Sequence, residues 1–443
     1  MSQDLRNLKG TRDLNVKEKL IQNFIVRAFT EEFEKFGYNP IETPIIEFQE
    51  ILASKYAGGS EILKEMYTFQ DNGKRNLALR YDLTVPLSRY VGMNPQLILP
   101  FKRYEFGKVF RDGPTKAGRY REFFQLDADV IGSNSLIYDA ECLAIAAGAA
   151  DKLGFDIYIE LNSRKLLFGI LRELGITSEE LASQIVLSID KLKKIGIKGV
   201  QDELGNKGIG VTTCEEIFKK INVKGTNQKK IQFFEENLIH PLALEGITEV
   251  RTILSFCKDM KIAKKVKFRP DLARGLEIYT GPIFEVFFKN STITSSIAAG
   301  GRYDKIIGKF IDRGKDYPAV GISVGVDVIL TEILQNPEKY PKIKQNESSI
   351  DVLLIPVKIA VEKMIPLMSL LRNANIKCDF SWDRNIRDSL GLASSLGVPI
   401  CLILGKRELE SKQVTLRNMR DETQTEIMIS SVVNSVKKIL DTV

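Results

Sequence analysis

The chain has one histidine, His240, and one tryptophan, Trp382, among 443 residues. A single imidazole excludes His-ligated metal centres and paired-histidine acid–base chemistry as the core mechanism. His240 stands in EENLIHPLALEG, a loop entry, and is expected to be a surface or packing residue. The five cysteines, Cys142, Cys214, Cys257, Cys378 and Cys401, form no C-x-x-C pair. Their scatter argues against a zinc site or a disulfide framework and fits a reducing cytoplasm. No apolar run is long enough to span a bilayer, and MSQDLRNLKGTRDL has acidic residues but no apolar h-region. Neither a membrane partner nor a secretory signal is expected.

The chemistry must then rest on carboxylates, arginines and backbone. A hydrophobic fraction of 44% and a charged fraction of 27% are those of a soluble globular protein. The length predicts two or three domains. A net charge of +7 permits a polyanionic partner without demanding one.

Leu20, Phe24, Ala28, Phe29 and Phe33 recur at helical spacing over 17–36, closed by Gly37. YNPIETPIIEF reads as a strand interrupted by Pro44, hence at an edge or an interface. MYTFQD, NLALRYDL, FKRYEFGKVFR and EFFQLDADVIG read as strands, residues 137–152 as an amphipathic helix, and IYIELN as a strand again. From 164 to 262 the texture turns Lys- and Glu-rich and helical, as an inserted module would. Strand patterns return in VKFRPDLARGLEIYTGPIFEVFF, AAGGRYDKIIG and AVGISVGVDVIL. A polar linker at 336–349 precedes a unit, 350–443, whose alternating β and α segments predict a small α/β domain with a mixed sheet.

The arginine-rich stretch from Arg103 to Gln125 is the most informative. Arg111 ends one strand, and Arg119 and Arg121 begin the next across the turn-forming DGPTKAG. Alternation puts Arg119, Arg121, Phe123, Gln125 and Asp129 on one face. Planar guanidinium forks grip phosphate and carboxylate oxygens, and Phe123 can stack on a nucleobase. An isolated R-x-R would be read as a solvated hairpin; the whole stretch is not.

This stretch resembles motif 2 of class II aminoacyl-tRNA synthetases, in the form found in the histidyl-tRNA synthetase family. Further marks of that family follow in order: GTRD (10–13), Pro44 at the motif 1 position, LRYDLTVP (79–86), LARGLEIYTGPIFE (272–285), AAGGRYD (298–304) and AVGISVGVD (319–327). The resemblance covers essentially the whole chain. It implies an α+β fold: an antiparallel-sheet catalytic domain over 1–335 with a helical insertion at 164–262, plus a C-terminal α/β anticodon-binding domain.

The resemblance also implies a site and a reaction. Arg111 would contact the α-phosphate of ATP and the carboxylate of histidine, Arg119 the triphosphate, and Phe123 the adenine. Asp82, Thr84 and Gln125 would line the amino-acid site, with Asp82 and Gln125 on the ammonium. Asp129 and Tyr279 would meet the imidazole. Arg274 would stabilise charge at the α-phosphate, and Gly300, Gly301 and Arg302 would shape the wall. ATP and histidine would give histidyl-adenylate, with Mg²⁺ bridging the phosphates and no His or Cys metal ligand from the protein. Transfer to the terminal adenosine of tRNA(His) would follow, in a cytoplasmic homodimer.

In-line attack by a carboxylate on phosphorus needs positioning and charge compensation rather than a protein nucleophile. A pocket with polar partners for both ring nitrogens would select histidine without editing. The motif 1 helix at 17–36 is read either as a dimer face or as core. Trp382, Arg384, Arg387 and Arg417 are read either as anticodon contacts or as packing and surface residues. The insertion is expected to clamp the acceptor arm.

Two departures stand out. The family's RGLDYY is RGLEIY here, with Glu277 and Ile278. The motif 3 arginine is replaced by Val328, for which Arg313 is a candidate substitute. The competing reading is a catalytically silent regulator of ATP phosphoribosyltransferase. Such paralogues usually lose the motif 2 arginines and the C-terminal domain, both kept here.

Overall fold

A computed structural model describes residues 5–53, 63–115, 118–275, 278–310, 316–344, 348–382 and 384–441. Residues 5–12 and 25–335 form one compact unit, and 13–24 with 336–441 another.

In chain order the first unit carries β1 (Asn39–Pro40), β2 (Ile46–Phe48), β3 (Thr68–Gln70), β4 (Asn76–Leu79), β5 (Phe101–Phe110) and β6 (Glu122–Ile131). It continues with β7 (Ile157–Ser163), β8 (Val266–Phe268), β9 (Pro282–Phe288), β10 (Ala298–Arg302) and β11 (Ala319–Gly325). Eight of these form one sheet in the order β1-β5-β6-β11-β10-β9-β7-β8. Pairing is antiparallel from β5 to β7 and parallel at both edges. The remaining three form a small antiparallel sheet, β2-β4-β3.

Strict alternation gives the large sheet two unlike faces. Leu126, Ala128 and Val130 of β6 pair with Val324, Ile322 and Val320 of β11 on the apolar face. The helix Ile137–Leu153 packs against this sheet together with the helix Pro241–Asp259. The amphipathic reading of 137–152 is corrected here. Its alanine-rich sequence is buried on nearly every side, Asp139 included, because sheet and helix enclose it together. Asp139 is neutralised by Arg302, which also donates to the Ser133 carbonyl at 2.9 Å.

The segment around Pro44 is two strands rather than one. β1 pairs with β5 at the sheet edge and β2 joins the small sheet. Between them Thr43 turns inward, where its amide donates to Glu105 at 2.9 Å. The helix Val16–Lys35 buries Ile25, Ala28, Phe29 and Phe33, and Phe33 stacks on Tyr104 at 5.5 Å. That apolar stripe is core. Large exposed apolar side chains lie instead at Ile45, Ile46, Phe48, Met93, Ile98 and Leu99.

From Arg164 to Asp259 the chain is a run of helices. The first and last are tied together at their bases. Glu249 accepts from Ser163 at 2.7 Å and from Lys165 at 2.6 Å. His240 caps the last helix, its Nδ1 accepting from the Leu242 amide at 3.2 Å.

The second unit has β12 (Val352–Val357), β13 (Cys378–Phe380), β14 (Ile400–Gly405), β15 (Gln413–Asn418) and β16 (Gln424–Met428) in the order β13-β12-β14-β15-β16. The first three are parallel and the rest antiparallel, the expected mixed sheet. Helices Ile365–Asn373 and Val432–Asp441 cover one face and Ile386–Ser395 the other. β16 escapes the sequence pattern because it is an edge strand with mostly exposed, polar residues.

Arg80 and Glu105, both fully buried, pair at 2.8 Å. Replacing Arg80→Met strands the Glu105 carboxylate, at a cost of about 3–5 kcal/mol. Urea unfolding should show this loss, and adding Glu105→Gln should recover part of it. Full stability in the single variant would mean the pair does not hold this region.

Candidate active site

The polar face of the large sheet is organised in three adjacent cross-strand rows. The first runs Gly107, Gln125, Gly325 over β5, β6 and β11. In the second, Glu105, Asp127, Ser323, Ala299 and Glu285 follow one another from β5 to β9. Arg103, Asp129, Gly321, Gly301 and Ile283 make up the third. Charged side chains alternate with residues too small to fill the space above them, so the face is a trough with polar walls.

Glycine is needed at two of these places because of what lies above. A Cβ at Gly321 would sit 1.9 Å from Asp129 Oδ1, and one at Gly107 would sit 2.1 Å from Arg80 Nη2.

The floor is a buried charge chain. Arg103 pairs with Asp129 at 2.7 Å and approaches Glu105 at 3.6 Å. Glu105 in turn pairs with Arg80, which donates to the Thr43 carbonyl at 2.7 Å and the Lys108 carbonyl at 2.9 Å. The Tyr303 hydroxyl donates to Asp129 Oδ1 at 2.5 Å. Burial raises Asp129 above the ordinary carboxylate range, while Arg103 and Tyr303 pull it back.

Gln125 Nε2 donates to Ser323 Oγ at 2.6 Å. Asp82 follows β4, its Oδ1 accepting from the Val85 amide at 3.1 Å. Burial pushes Asp82 up to about 6, opposed by that amide and by Arg111. LRYDLTVP is only partly strand: β4 ends at Leu79, and Thr84 opens the helix Thr84–Met93. The carboxylate of Asp82 and the half-buried Thr84 are thus carried on a strand-to-helix turn.

Arg111 lies just past β5, anchored by Nε to the Tyr81 carbonyl at 3.0 Å and set 5.2 Å from the Phe123 ring centre. Burial works against its charge, and Asp82 does most to restore it. Among the described residues no carboxylate pairs directly with Arg111, so its terminal nitrogens are the free part of a held guanidinium. Arg119 is exposed. Arg121, read from the sequence as part of the same positive face, is spent on the hairpin itself, paired with Asp112 at 3.1 Å.

On the other flank Arg274 pairs with Glu285 at 3.2 Å and lies 5.4 Å from the buried Tyr279 ring. Gly301 faces that ring, since a Cβ there would touch it at 2.9 Å. Gly300 points the other way, beneath Phe284, and offers the trough only backbone. Arg302 is not a wall of the trough. Its parity turns it to the helix-covered face, where Asp139 holds it.

Val328 sits in the first turn of the helix Val326–Gln335, beside Gly118. The neighbouring Asp327 accepts from the Phe124 amide at 2.8 Å and from Arg12 at 3.1 Å. Arg313 and Glu277 lie outside the described residues.

The family profile described as Histidyl-tRNA synthetase matches residues 10–329, and that described as Anticodon binding domain matches 351–439. The chain belongs to the histidyl-tRNA synthetase family. Histidine--tRNA ligase 1 of Bacillus thuringiensis subsp. konkukian is 41% identical over 432 residues, 97% of this chain and 99% of that protein. Histidine--tRNA ligase of Finegoldia magna is 34% identical over 439 residues, 97% of this chain and 99% of its own. The crystal structure of histidyl-tRNA synthetase from Nostoc sp. PCC 7120 superposes with a TM-score of 0.87 at 26% identity, covering 98% of this chain and 99% of that one. An ATP phosphoribosyltransferase regulatory subunit/histidyl-tRNA synthetase from Bacillus halodurans C shares the fold with a TM-score of 0.75 at 18% identity, over 91% and 99% of the two chains.

Several of the family marks thus meet in one trough, but the sequence reading assigns no role to several of its groups. Asp127 lies on the same alternation as Gln125 and Asp129, a signal present in QLDADV. Ser323 and Tyr303 need the strand register, which no local pattern supplies. Burial, the adjacent Asp129 charge and Asp82 push Asp127 up to about 8, against the pull of Arg103 and the Ser323 hydroxyl.

This raised value is a statement about stability. An unfolded aspartate titrates at about 3.9, so folding favours the protonated carboxyl of Asp127. That contribution is full below the unfolded value and is lost as pH rises towards 8. The unfolding free energy of Asp127→Asn, which carries no such proton, should therefore gain on the parent between pH 4 and about 8 and then run level. Urea titrations across that range test it, and parallel curves would contradict the buried, protonated carboxyl.

Proposed function

We propose that this protein activates histidine with ATP to histidyl-adenylate and transfers the histidyl group to the 3′ terminal adenosine of tRNA(His). The observation that carries the reading is a polar trough flanked by two held guanidiniums, Arg111 and Arg274, in a chain of this family. Attack of the amino-acid carboxylate on the α-phosphorus builds negative charge between those flanks, and preorganised cations stabilise it without reorganisation. Arg111 is fixed at Nε, which leaves its outer nitrogens for the α-phosphate and the histidine carboxylate. Phe123, already against that guanidinium, offers its ring to adenine, and the exposed Arg119 suits the triphosphate.

Asp82, Thr84 and Gln125 would hold the amino-acid end of histidine, and Asp129, Tyr279 and the backbone of Gly300 and Gly301 the imidazole end. Fixed by Arg103 and Tyr303, Asp129 is an oriented acceptor. An analogue lacking the matching N–H would leave it unsatisfied.

Mg²⁺ supplies charge neutralisation on the phosphates when bound. The ion would be carried on the ATP phosphates, and the buried cysteines and His240 sit on other elements. The exposed apolar residues at 45–48 and 93–99 suit a homodimer face. A cytoplasmic location accords with the scattered, unpaired cysteines and with the absence of any described helix long and apolar enough to cross a membrane.

Val328 favours the silent regulatory reading. Arg111, Arg119, Arg274 and the whole second unit weigh against it. In that unit Trp382 is 62% exposed, 5.7 Å from Phe380, and lines a cavity of about 530 Å³ with Arg384. An exposed ring beside a guanidinium suits stacking on an unpaired anticodon base.

Pure protein should catalyse histidine-dependent ATP–pyrophosphate exchange, and Arg274→Ala should lower kcat about 100- to 1000-fold. No exchange by the parent at saturating histidine and ATP would sink the enzyme reading. Trp382→Ala should keep that exchange while lowering kcat/KM for charging tRNA(His) about tenfold, the value of one stacked base. Unimpaired charging would remove Trp382 from anticodon recognition.

A further inference from the structure

We infer that Asp127 is a third acceptor for the α-ammonium group of the amino-acid substrate, completing with Asp82 and Gln125 a site for one primary ammonium. The inference rests on the proposed activity and adds to it a residue that determines what the trough accepts.

A primary ammonium has three N–H donors and is best held by three acceptors. The hydrogen-bond logic of the trough leaves that number. Once an ammonium ionises Asp127, its carboxylate can only accept, and the Ser323 hydroxyl that pulls on it is the donor there. The same hydroxyl must then accept from Gln125 Nε2, at 2.6 Å, which turns the Gln125 amide so that Oε1 is its unused end. Gln125 Oε1 and Asp127 Oδ1 are both buried and both lack a hydrogen-bond partner.

Two orphaned acceptors, linked through one serine, are costly unless a ligand satisfies them. No described guanidinium or lysine pairs with Asp127. Arg103 is taken by Asp129 at 2.7 Å, and Arg80 by Glu105 at 2.8 Å. Gln125 and Asp127 share one face of β6, and the Asp82 charge is felt at Asp127.

The ammonium rather than the imidazole is the fitting group. Asp127 is tied to Gln125 on one side, whereas Tyr279 and Gly301 belong with the next row, that of Asp129. Asp129 Oδ1 takes the Tyr303 hydroxyl and its Oδ2 lies 2.7 Å from the Arg103 guanidinium, whereas Asp127 Oδ1 is buried with neither a hydrogen-bond partner nor a paired cation.

The test is calorimetric binding of two analogues to the full chain and to Asp127→Asn. Histidinol has the ammonium and the imidazole; 3-(imidazol-4-yl)propionate has the imidazole and carboxylate but no ammonium. Histidinol should bind the variant about 10- to 100-fold more weakly, the loss of one charge-assisted hydrogen bond, with the propionate unchanged. Ser323→Ala, which frees the Gln125 amide, should show the same selectivity. Should either variant fail to fold, the other decides.

Equal weakening of both analogues would overturn the assignment, as would unchanged histidinol binding or a parent that binds no histidinol. Histidine-dependent exchange by the parent, measured alongside, separates failure of the assignment from failure of the activity. Exchange with histidinol binding unaffected by the substitution refutes Asp127 alone, whereas no exchange refutes the activity.

Discussion

The Arg103 guanidinium, buried in the middle of the large sheet, is the point on which the site depends. It joins Asp129 to Glu105, and Glu105 joins it to Arg80 and Thr43. Through these contacts one charge chain links β5, β6, the turn that carries Asp82 and the segment after β1. Such a network is a poor source of net stability, because two desolvated ions recover in attraction about what they lost in hydration. Its value is geometric. Each member has partners on more than one element, so displacing any of them strands a buried charge elsewhere.

That constraint explains the small residues in the rows. Long polar side chains can lie flat across a sheet only where neighbouring strands leave room, and Gly107 and Gly321 leave it over Arg80 and Asp129. The opposite face obeys the reverse rule, with Val, Ile, Leu and Phe pressed under an alanine-rich helix. A one-residue slip in β6 would exchange the two sets, burying Asp127 and Asp129 under the helix and exposing Leu126 and Val130. Register and site are therefore set by the same alternation.

The same alternation decides how much of the fold is legible in the amino-acid sequence. Gly, Pro and period-two alternation locate the main strands, and the β/α alternation of the second unit predicts its mixed sheet. Motif residues such as Arg111, Gln125 and Arg274 are legible because their neighbours in sequence are distinctive. Ser323 and Tyr303 lie within recognisable motifs, yet their roles are not legible, since the residues they act on are 198 and 174 positions away. The misplacement of Arg302 on the trough wall has the same origin. AAGGRYD is recognisable as a motif, but only pairing with β11 shows that Gly301, and not Arg302, is on the trough side. β16 is illegible for a different reason, as an edge strand has no buried face to impose a pattern.

The valine at 328 can be placed against the same constraints. Of the three hairpin arginines, Arg111 is anchored on Tyr81 and Arg121 is neutralised by Asp112, whereas Arg119 is exposed and on the proposed reading would meet the outer phosphates. Val328 packs beside Gly118, the residue before Arg119, so an apolar contact stands there in place of a second fixed cation. Asp327, one residue earlier, ties the same helix turn to the Phe124 amide and to Arg12. The helix thus still fixes the start of β6, and with it Phe123 and Gln125, while contributing no charge of its own from position 328. On the proposed reading, binding of the outer phosphates would rest on Arg119 and the ion that ATP brings, while the inner phosphate would keep Arg111 and Arg274, both held by protein. Loss of a cation at the outer end would then weaken attachment of the leaving pyrophosphate more than it would disturb the reacting phosphorus, which is where catalysis needs preorganisation.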